Sequence, residues 1–535
     1  MPSIRSAIIA LCVFLLTIIS GSQGFEARAV QGPPADATRR ERQLLKVQQL
    51  LESGNLVEAR GELARALKEF PEDAVLYNLL GVVDAQESNY RAAESNFNQA
   101  VARAPKFTGA YLNLGRLYQE HAGRDPAAIE KALNVYGKIL QYLPDHREAV
   151  YQSAVLFQLR GDFKISLDHL ARLPGEYRER PPALAVRCAD HVGLGQNAQA
   201  DQTAEQLMKT ARLAEADILS ILPTLKAHGR DDLEARLLEN LVERQLSSAN
   251  TLSQLGLLYE QQGRLDAAHA TLEKVAAAKP DSAQVLIDLA RVAHKRGAHR
   301  EALGYLAHAR DLEPRRADVH FFFGMVCVDL NLGGEAHQSL TQAVNLEPEN
   351  AYYNYALGAV SVHRRDPGEA LPFFQKYARL KPDDPRGRLA LGAAYFHSGN
   401  FDAAREELRE AVKRSETAAG AHYFLALLAK RQENLSEALR ELTVALELNP
   451  RYADAHAESG LLHLRRKDYQ AAEKSLRHAL TIDSDHYAAN FNLLTLYTRT
   501  KDGRETAQAR RFAEVKSKRD EMAQQFLRTV EVRPY

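Results

Sequence analysis

Eighteen histidines are the side chains of this sequence best equipped for chemistry. Imidazole binds transition metals and moves protons near neutral pH. His294, His299 and His308 cluster in the sequence, and His456 and His463 lie seven residues apart, on one face of any helix that carries both. The chain contains no G-x-x-x-x-G-K-[ST], no G-x-G-x-x-G after a strand, no G-x-S-x-G and no H-E-x-x-H. It therefore announces no nucleotide, acyl-transfer or metalloprotease site. A second set of residues recurs at a spacing of 34: Arg431, Arg465 and Arg499 form one series, and Tyr355, Leu389 and Tyr423 another. Whether such series share a surface depends on the elements that carry them.

Those elements are internal repeats. Ala249 to Asp384 is four consecutive blocks of 34 residues. Numbering each block from 1 to 34 extends the frame from Arg40 to Asp520, with starts at Arg40, Ala74, Thr108, Arg147, Pro181, Glu215 and Ala249. It continues at Ala283, Ala317, Ala351, Pro385, Ala419, Ala453 and Tyr487, and the third block carries five extra residues. Position 8 is small (Gly81, Gly115, Gly256, Gly324), and so is position 20 (Ala268, Ala302, Ala336, Ala370). A small residue at position 20 lets two helix backbones approach closely. Position 15 is often Gly, the expected left-handed stop after an amphipathic helix. Position 32 is often Pro, as at Pro280, Pro314, Pro348 and Pro382, which ends a helix by lacking its N–H. Each block thus predicts helix A over about positions 1–14, a tight turn, helix B to about position 30, and a Pro-marked loop. Such self-similarity means stacked helix pairs, not one globular core.

The pattern resembles the tetratricopeptide repeat: large at 4, Leu at 7, Gly or Ala at 8, Tyr at 11, Ala at 20, aromatic or Leu at 24, Ala at 27 and Pro at 32. The ninth block reads His320, Phe323, Gly324, Cys327, Ala336, Leu340, Ala343 and Pro348; the second reads Tyr77, Leu80, Gly81, Asp84, Ala93, Phe97, Ala100 and Pro105. No block has the family's Trp at position 4. The resemblance covers about nine-tenths of the chain and implies an all-α fold, a right-handed superhelical solenoid of about fourteen antiparallel helix pairs. It also implies that His320, His422 and His456, at position 4, are packing residues rather than metal ligands. His294, His299 and His308 fall at positions 12, 17 and 26, which are not expected to converge. No cofactor and no catalytic residue is expected.

In tetratricopeptide superhelices helix A lines the concave face through positions 2, 5, 9, 12 and 13. Projected onto this chain, the face carries Phe321, Met325, Tyr352, Tyr355, Leu389, Phe396, Tyr423 and Phe491 as an apolar and aromatic stripe. Beside it run His363, His397, Lys430, Arg431, Arg465 and Arg499. A peptide with hydrophobic anchors and carboxylates suits such a surface. The competing reading is that the family consensus itself favours Tyr at 5 and a basic residue at 13.

Lys+Arg and Asp+Glu are both 69, which gives no bias toward nucleic acid or membrane surfaces. Arg5 followed by the 13-residue apolar run Ala7 to Ile19 predicts a signal sequence over 1–24; the run is shorter than the ~20 residues a membrane span needs. An uncleaved N-terminal anchor is the alternative. Residues 25–39 read as a polar linker, 40–146 as regular repeats, 147–248 as degenerate ones, 249–520 as a second regular set and 521–535 as a terminal helix end and tail. The degenerate blocks are consistent with repeat decay or with a bend. Cys188 and Cys327 fall four units apart, too far for a disulfide, and sit on predicted core faces. The expectation for function is a non-enzymatic scaffold for proteins or peptides, exported to the periplasm or outside the cell. A structural role in an envelope assembly is the second expectation, and an enzyme's accessory chain a remote third.

Overall fold

The structure is a computed structural model and describes residues 35–121, 125, 127–363 and 367–529. The expected signal sequence and most of the linker after it lie outside these residues, as do Ala122–Arg124 and Pro126 in the third block. Among the described residues there are helices, turns and bends but no strand. Two compact units divide the chain, one reaching Thr251 and the other starting at Leu252. No described helix is long and apolar enough to cross a membrane.

Helix A begins at the first block position at Ala74, Thr108, Arg147, Pro181, Glu215, Ala249, Ala283, Ala317, Ala351, Pro385, Ala453 and Tyr487. Two begin earlier, at Ala35 and at Ser415. At the second departure the loop carries Ser415-Glu416 and no Pro at position 32; this permits the early start but does not dictate it, since Ser484 holds the same position before a helix that begins at Tyr487. Helix B starts at position 17 in most blocks, as at Leu56, Tyr90, Leu265, His299 and Leu435.

Helices A and B of one block meet through three positions. The Ala at position 20 is fully buried at Ala93, Ala268, Ala302, Ala336, Ala404, Ala438 and Ala472. The glycine at position 8 faces the large residue at position 24. A Cβ on Gly81 would stand 2.6 Å from the Phe97 ring, one on Gly256 2.8 Å from Leu272 Cγ, and one on Gly460 2.5 Å from Leu476 Cγ. Position 8 is therefore small because the helix B side chain occupies the space a methyl would take.

The A–B turn is equally uniform. Its position 15 is left-handed at Gly54, Gly161, Gly195, Gly229, Gly263, Gly297 and Gly399. Ser88, Asn331, Glu433, Lys467 and Lys501 adopt the same positive φ without being glycine, at a cost of about 1–2 kcal/mol each. Turn geometry is thus imposed by the helix pair and not by the residue at the turn.

In four blocks position 4 has the same task, while His422 at that position instead meets Glu441 at 2.6 Å. His320 Nε2 lies 2.9 Å from the Pro314 carbonyl, His456 Nε2 2.9 Å from that of Pro450, and Asn354 Nδ2 2.9 Å from that of Pro348. Asn490 Nδ2 makes the same bond to Ser484 at 3.1 Å. A donor at position 4 so satisfies the carbonyl left by the end of the preceding helix B. The His320 and His456 imidazoles each donate through Nε2–H, which leaves no free lone pair there for a metal.

The fourth to sixth blocks depart from this plan. Helix B of the fourth is cut to Phe163–Ala171, and a single turn, Gly175–Arg178, follows Pro174. Helix A of the sixth is split into Glu215–Leu219 and Leu222–Ala227 around Pro223.

Candidate functional site

A cavity of about 860 Å³ opens in the first unit, on helix A of the third to fifth blocks. Gly109, Leu112 and Arg116 line it from positions 2, 5 and 9 of the third block, Glu148 and Tyr151 from positions 2 and 5 of the fourth, and Pro182 from position 2 of the fifth. Leu143 to His146 form one wall, and Tyr177 and Arg180, contributed by the irregular stretch after the shortened helix B, form another. Its volume falls within the range that holds a peptide side chain or drug-sized group.

The charges around this cavity are unequally satisfied. Arg116 Nη2 pairs with Glu148 Oε1 at 3.2 Å, and Glu148 also accepts from Gln152. His146 is occupied as a helix cap, accepting from the Ala149 N–H at 3.2 Å, and burial pushes its pKa down. Arg147 donates to the Tyr177 hydroxyl and lies 4.5 Å from the centre of its ring. Arg180 covers the Tyr177 ring at 3.8 Å. Neither guanidinium pairs with a carboxylate among the described residues. Two cations held against one aromatic ring, with donors to spare, lie beside the apolar surface of Leu112, Tyr151 and Ala183.

In the second unit the sequence-selected residues are partly consumed by packing. Phe321 stacks on Tyr353 at 4.7 Å, Tyr355 packs on Phe374 and Tyr377, Tyr423 packs on Tyr452 and Phe424, and Phe491 lies 5.5 Å from Phe512 of the terminal helix Glu505–Thr529. Burial raises the pKa of the Tyr355 and Tyr423 phenols. Met325 and Leu389 are half-buried against their neighbours. Tyr352 and Phe491 remain about half exposed, at 55% and 48%. Phe396, His397 and Phe424 form one aromatic cluster, with centroids 5.3–5.9 Å apart. Burial lowers the His397 pKa.

Of the cations, Lys430 is neutralised by Glu458 at 2.7 Å, and Arg431 lies over the Phe401 ring at 5.1 Å. Arg465 and Arg499 are exposed and make no ion pair among the described residues. The His363 backbone ends its helix, and its side chain lies outside the described residues. Position 13 sits near the C-terminal end of helix A, where a cation is favoured by the helix dipole. It is about 12 Å along the helix from position 5, at 1.5 Å per residue. The basic row and the aromatic row are therefore parallel but separate.

One expectation from the sequence is overturned. His294 and His299 do converge: the tight A–B turn brings their rings to 5.0 Å, and His294 Nε2 meets Asp329 Oδ2 of the next block at 2.7 Å. Block positions 12 and 17 are distant along the chain but adjacent across a turn. Ligand atoms of His294, His299 and Asp329 lie within 4.8 Å of one another, and so do those of His269, Glu273 and Glu301.

Sequence models of the tetratricopeptide repeat match residues 79–139, 328–385 and 423–487 in one version and 259–320 and 362–430 in another, together just over half of the chain. The chain belongs to the tetratricopeptide repeat family. No curated protein sequence matches it significantly. Among solved structures, the Cut9 and Hcn1 complex of the APC/C aligns at 14% identity over 91% of this chain and 98% of that one, with a TM-score of 0.39. Yeast Tom70 aligns at 17% identity over 84% and 100%, with a TM-score of 0.35. YrrB, described as a tetratricopeptide repeat protein with an unusual peptide-binding site, aligns at 24% identity over 37% and 97%, with a TM-score of 0.32.

Proposed function

We infer that this tetratricopeptide repeat protein is a non-enzymatic scaffold that holds peptide or partner-subunit segments. The cavity on helix A of the third to fifth blocks is its most developed site. The observation that carries this reading is the pair of guanidiniums, Arg147 and Arg180, held on Tyr177 without a carboxylate partner at the rim of an apolar cavity. An acidic side chain or a terminal carboxylate supplies the missing partner, and an adjacent apolar residue fills the space beside Leu112 and Tyr151. In the second unit the exposed Arg465 and Arg499 and the half-exposed Tyr352 and Phe491 offer separate contacts to a partner segment. Action outside the cytoplasm is part of the proposal and rests on the apolar run Ala7 to Ile19 after Arg5; N-terminal sequencing of the mature chain tests it.

The binding experiment uses an array of short peptides, each with an apolar anchor and either a free or an amidated C-terminus. Binding is expected to favour the carboxylates and to weaken with salt. The double substitution Arg147→Ala and Arg180→Ala removes two charge-assisted contacts and should weaken binding at least ~10-fold. The triple substitution Arg431→Ala, Arg465→Ala and Arg499→Ala should have the smaller effect. Carboxylate binding that survives the double substitution unchanged removes the cavity from the reading.

A further inference from the structure

The ends of helix A in the eighth and ninth blocks and the start of helix B in the eighth bring together two imidazoles and a carboxylate. His294 lies in the last turn of Ala283–Lys295, His299 is the first residue of His299–Leu312, and Asp329 is the last of Ala317–Asp329. His294 and His299 are partly buried and Asp329 is exposed. We propose that His294, His299 and Asp329 form a binding site for a divalent first-row transition metal ion, zinc being the species that best suits the ligands.

Four observations support the assignment. The three ligand atoms already lie within 4.8 Å of one another, with no rearrangement of backbone needed to gather them. Two imidazoles and one carboxylate are the donor set of zinc, nickel or cobalt, and not of calcium or magnesium, which prefer all-oxygen sites. His299 Nδ1 is buried and has no hydrogen-bond partner. A buried polar atom without a partner is unfavourable by about 1–3 kcal/mol, and a metal bound through that nitrogen satisfies it. Finally, His294 and Asp329 both sit at helix C-termini, where the backbone dipole favours a cation. His299 at a helix N-terminus, and Lys295, Arg296 and Arg300 nearby, act in the opposite direction, which sets the expected affinity in the micromolar rather than the picomolar range.

The geometry is open. With metal–ligand bonds of about 2.0–2.2 Å, the 2.7 Å separation of His294 Nε2 and Asp329 Oδ2 subtends about 80°. That is near the right angle of five- or six-coordinate sites, and opening the pair by about 0.7 Å gives the tetrahedral angle of zinc. The remaining positions face solvent or the edge of Phe322, whose ring lies 5.7 Å from that of His294. Water or a partner side chain completes the shell. Because Asp329 belongs to the next block, the ion would staple two adjacent repeats.

The test is a titration of the tag-free, metal-stripped full chain with Co²⁺, followed by its visible absorption, and then displacement by Zn²⁺. One equivalent is expected to bind saturably at neutral pH. His299→Ala and Asp329→Asn should each weaken binding at least ~10-fold, the minimum seen when even an outer-shell partner is lost. His269→Ala, in the neighbouring cluster with Glu273 and Glu301, should leave the titration unchanged. Asp329→Asn is isosteric and exposed, so it keeps the test valid should His299→Ala unfold; far-UV circular dichroism checks both. Three results overturn the proposal: no saturable binding up to millimolar Co²⁺, binding insensitive to both substitutions, or binding lost only in His269→Ala.

Discussion

Gly256 and Leu272 offer a test of why this chain repeats at all. In the seventh block a Cβ on Gly256 would stand 2.8 Å from Leu272 Cγ and 2.9 Å from its Cδ2, while the nearest backbone atom, the Ala268 carbonyl oxygen, is an ordinary 3.6 Å away. The obstacle is therefore one side chain. Gly256→Ala gains about 0.8–1.0 kcal/mol of helix propensity and meets an overpacking penalty of about 1–3 kcal/mol. The expected net effect is a loss of up to about 2 kcal/mol. Leu272 is fully buried, so Leu272→Ala alone should cost about 2–5 kcal/mol. In the Leu272→Ala background both clashing atoms are gone, the new methyl enters the cavity, and Gly256→Ala should stabilise by about 1 kcal/mol. The same substitution thus changes sign with its partner, a coupling of about 1–3 kcal/mol. Long repeat arrays do not unfold as one cooperative unit, so a single global midpoint is the wrong readout. Hydrogen exchange of amides in the seventh block, compared across the four proteins of the cycle, measures the local free energy. Additive effects, or Gly256→Ala destabilising to the same extent in both backgrounds, would refute the pairing of positions 8 and 24.

Two further outcomes follow from single residues. Lys467 is left-handed with φ 60°; Lys467→Gly relieves about 1–2 kcal/mol of backbone cost against about 0.5–1 kcal/mol of added chain entropy. A small gain in local protection is expected, opposite in sign to the loss from Gly297→Ala, and a loss in both would contradict the turn geometry. Asp190 is fully buried, and burial raises its carboxyl pKa to about 8, only partly opposed by the Ser166 hydroxyl that donates to it at 2.6 Å. An acid whose folded pKa lies above its unfolded value of about 3.9 binds more protons folded than unfolded. Stability in the fourth and fifth blocks should therefore fall as pH rises from about 4 to 8, by at most about 1.4 kcal/mol per unit, and Asp190→Asn should flatten that slope. Hydrogen exchange at several pH values, corrected for intrinsic rates, decides it; an unchanged slope in Asp190→Asn would assign the dependence to other groups.

The fold was legible because the same physical problem recurs in every block and leaves its answer at the same position. Small residues at 8 and 20 and Pro at 32 needed no structure to interpret. Position 15 was legible only where it is Gly. At Glu433 and Lys467 the side chain gives no hint of a left-handed turn, because the flanking helices enforce it against local preference. Position 4 was expected to pack at His320 and His456; the bond each makes to the preceding block's carbonyl depends on a loop conformation that no periodicity reveals.

The site was less legible, for a related reason. The first-unit cavity is lined from block positions 2, 5 and 9 through Gly109, Leu112, Arg116, Glu148, Tyr151 and Pro182, positions the repeat frame expects on the concave side. What the repeat frame could not supply was Tyr177 and Arg180. They belong to the stretch where helix B of the fourth block stops early and Pro174-Gly175 starts a single extra turn. In a regular block these residues, at positions 31 and 34, fall in the loop after helix B, whose course the repeat pattern does not specify. The early stop and extra turn hold the Tyr177 ring against both Arg147 and Arg180 at the cavity. Regular positions in a repeat array are held by the stacking they perform and have little freedom to specialise. A broken block is released from that constraint, and the first-unit cavity draws Tyr177 and Arg180 from such a stretch, whereas the His294, His299 and Asp329 cluster stands in regular blocks, around an A–B turn.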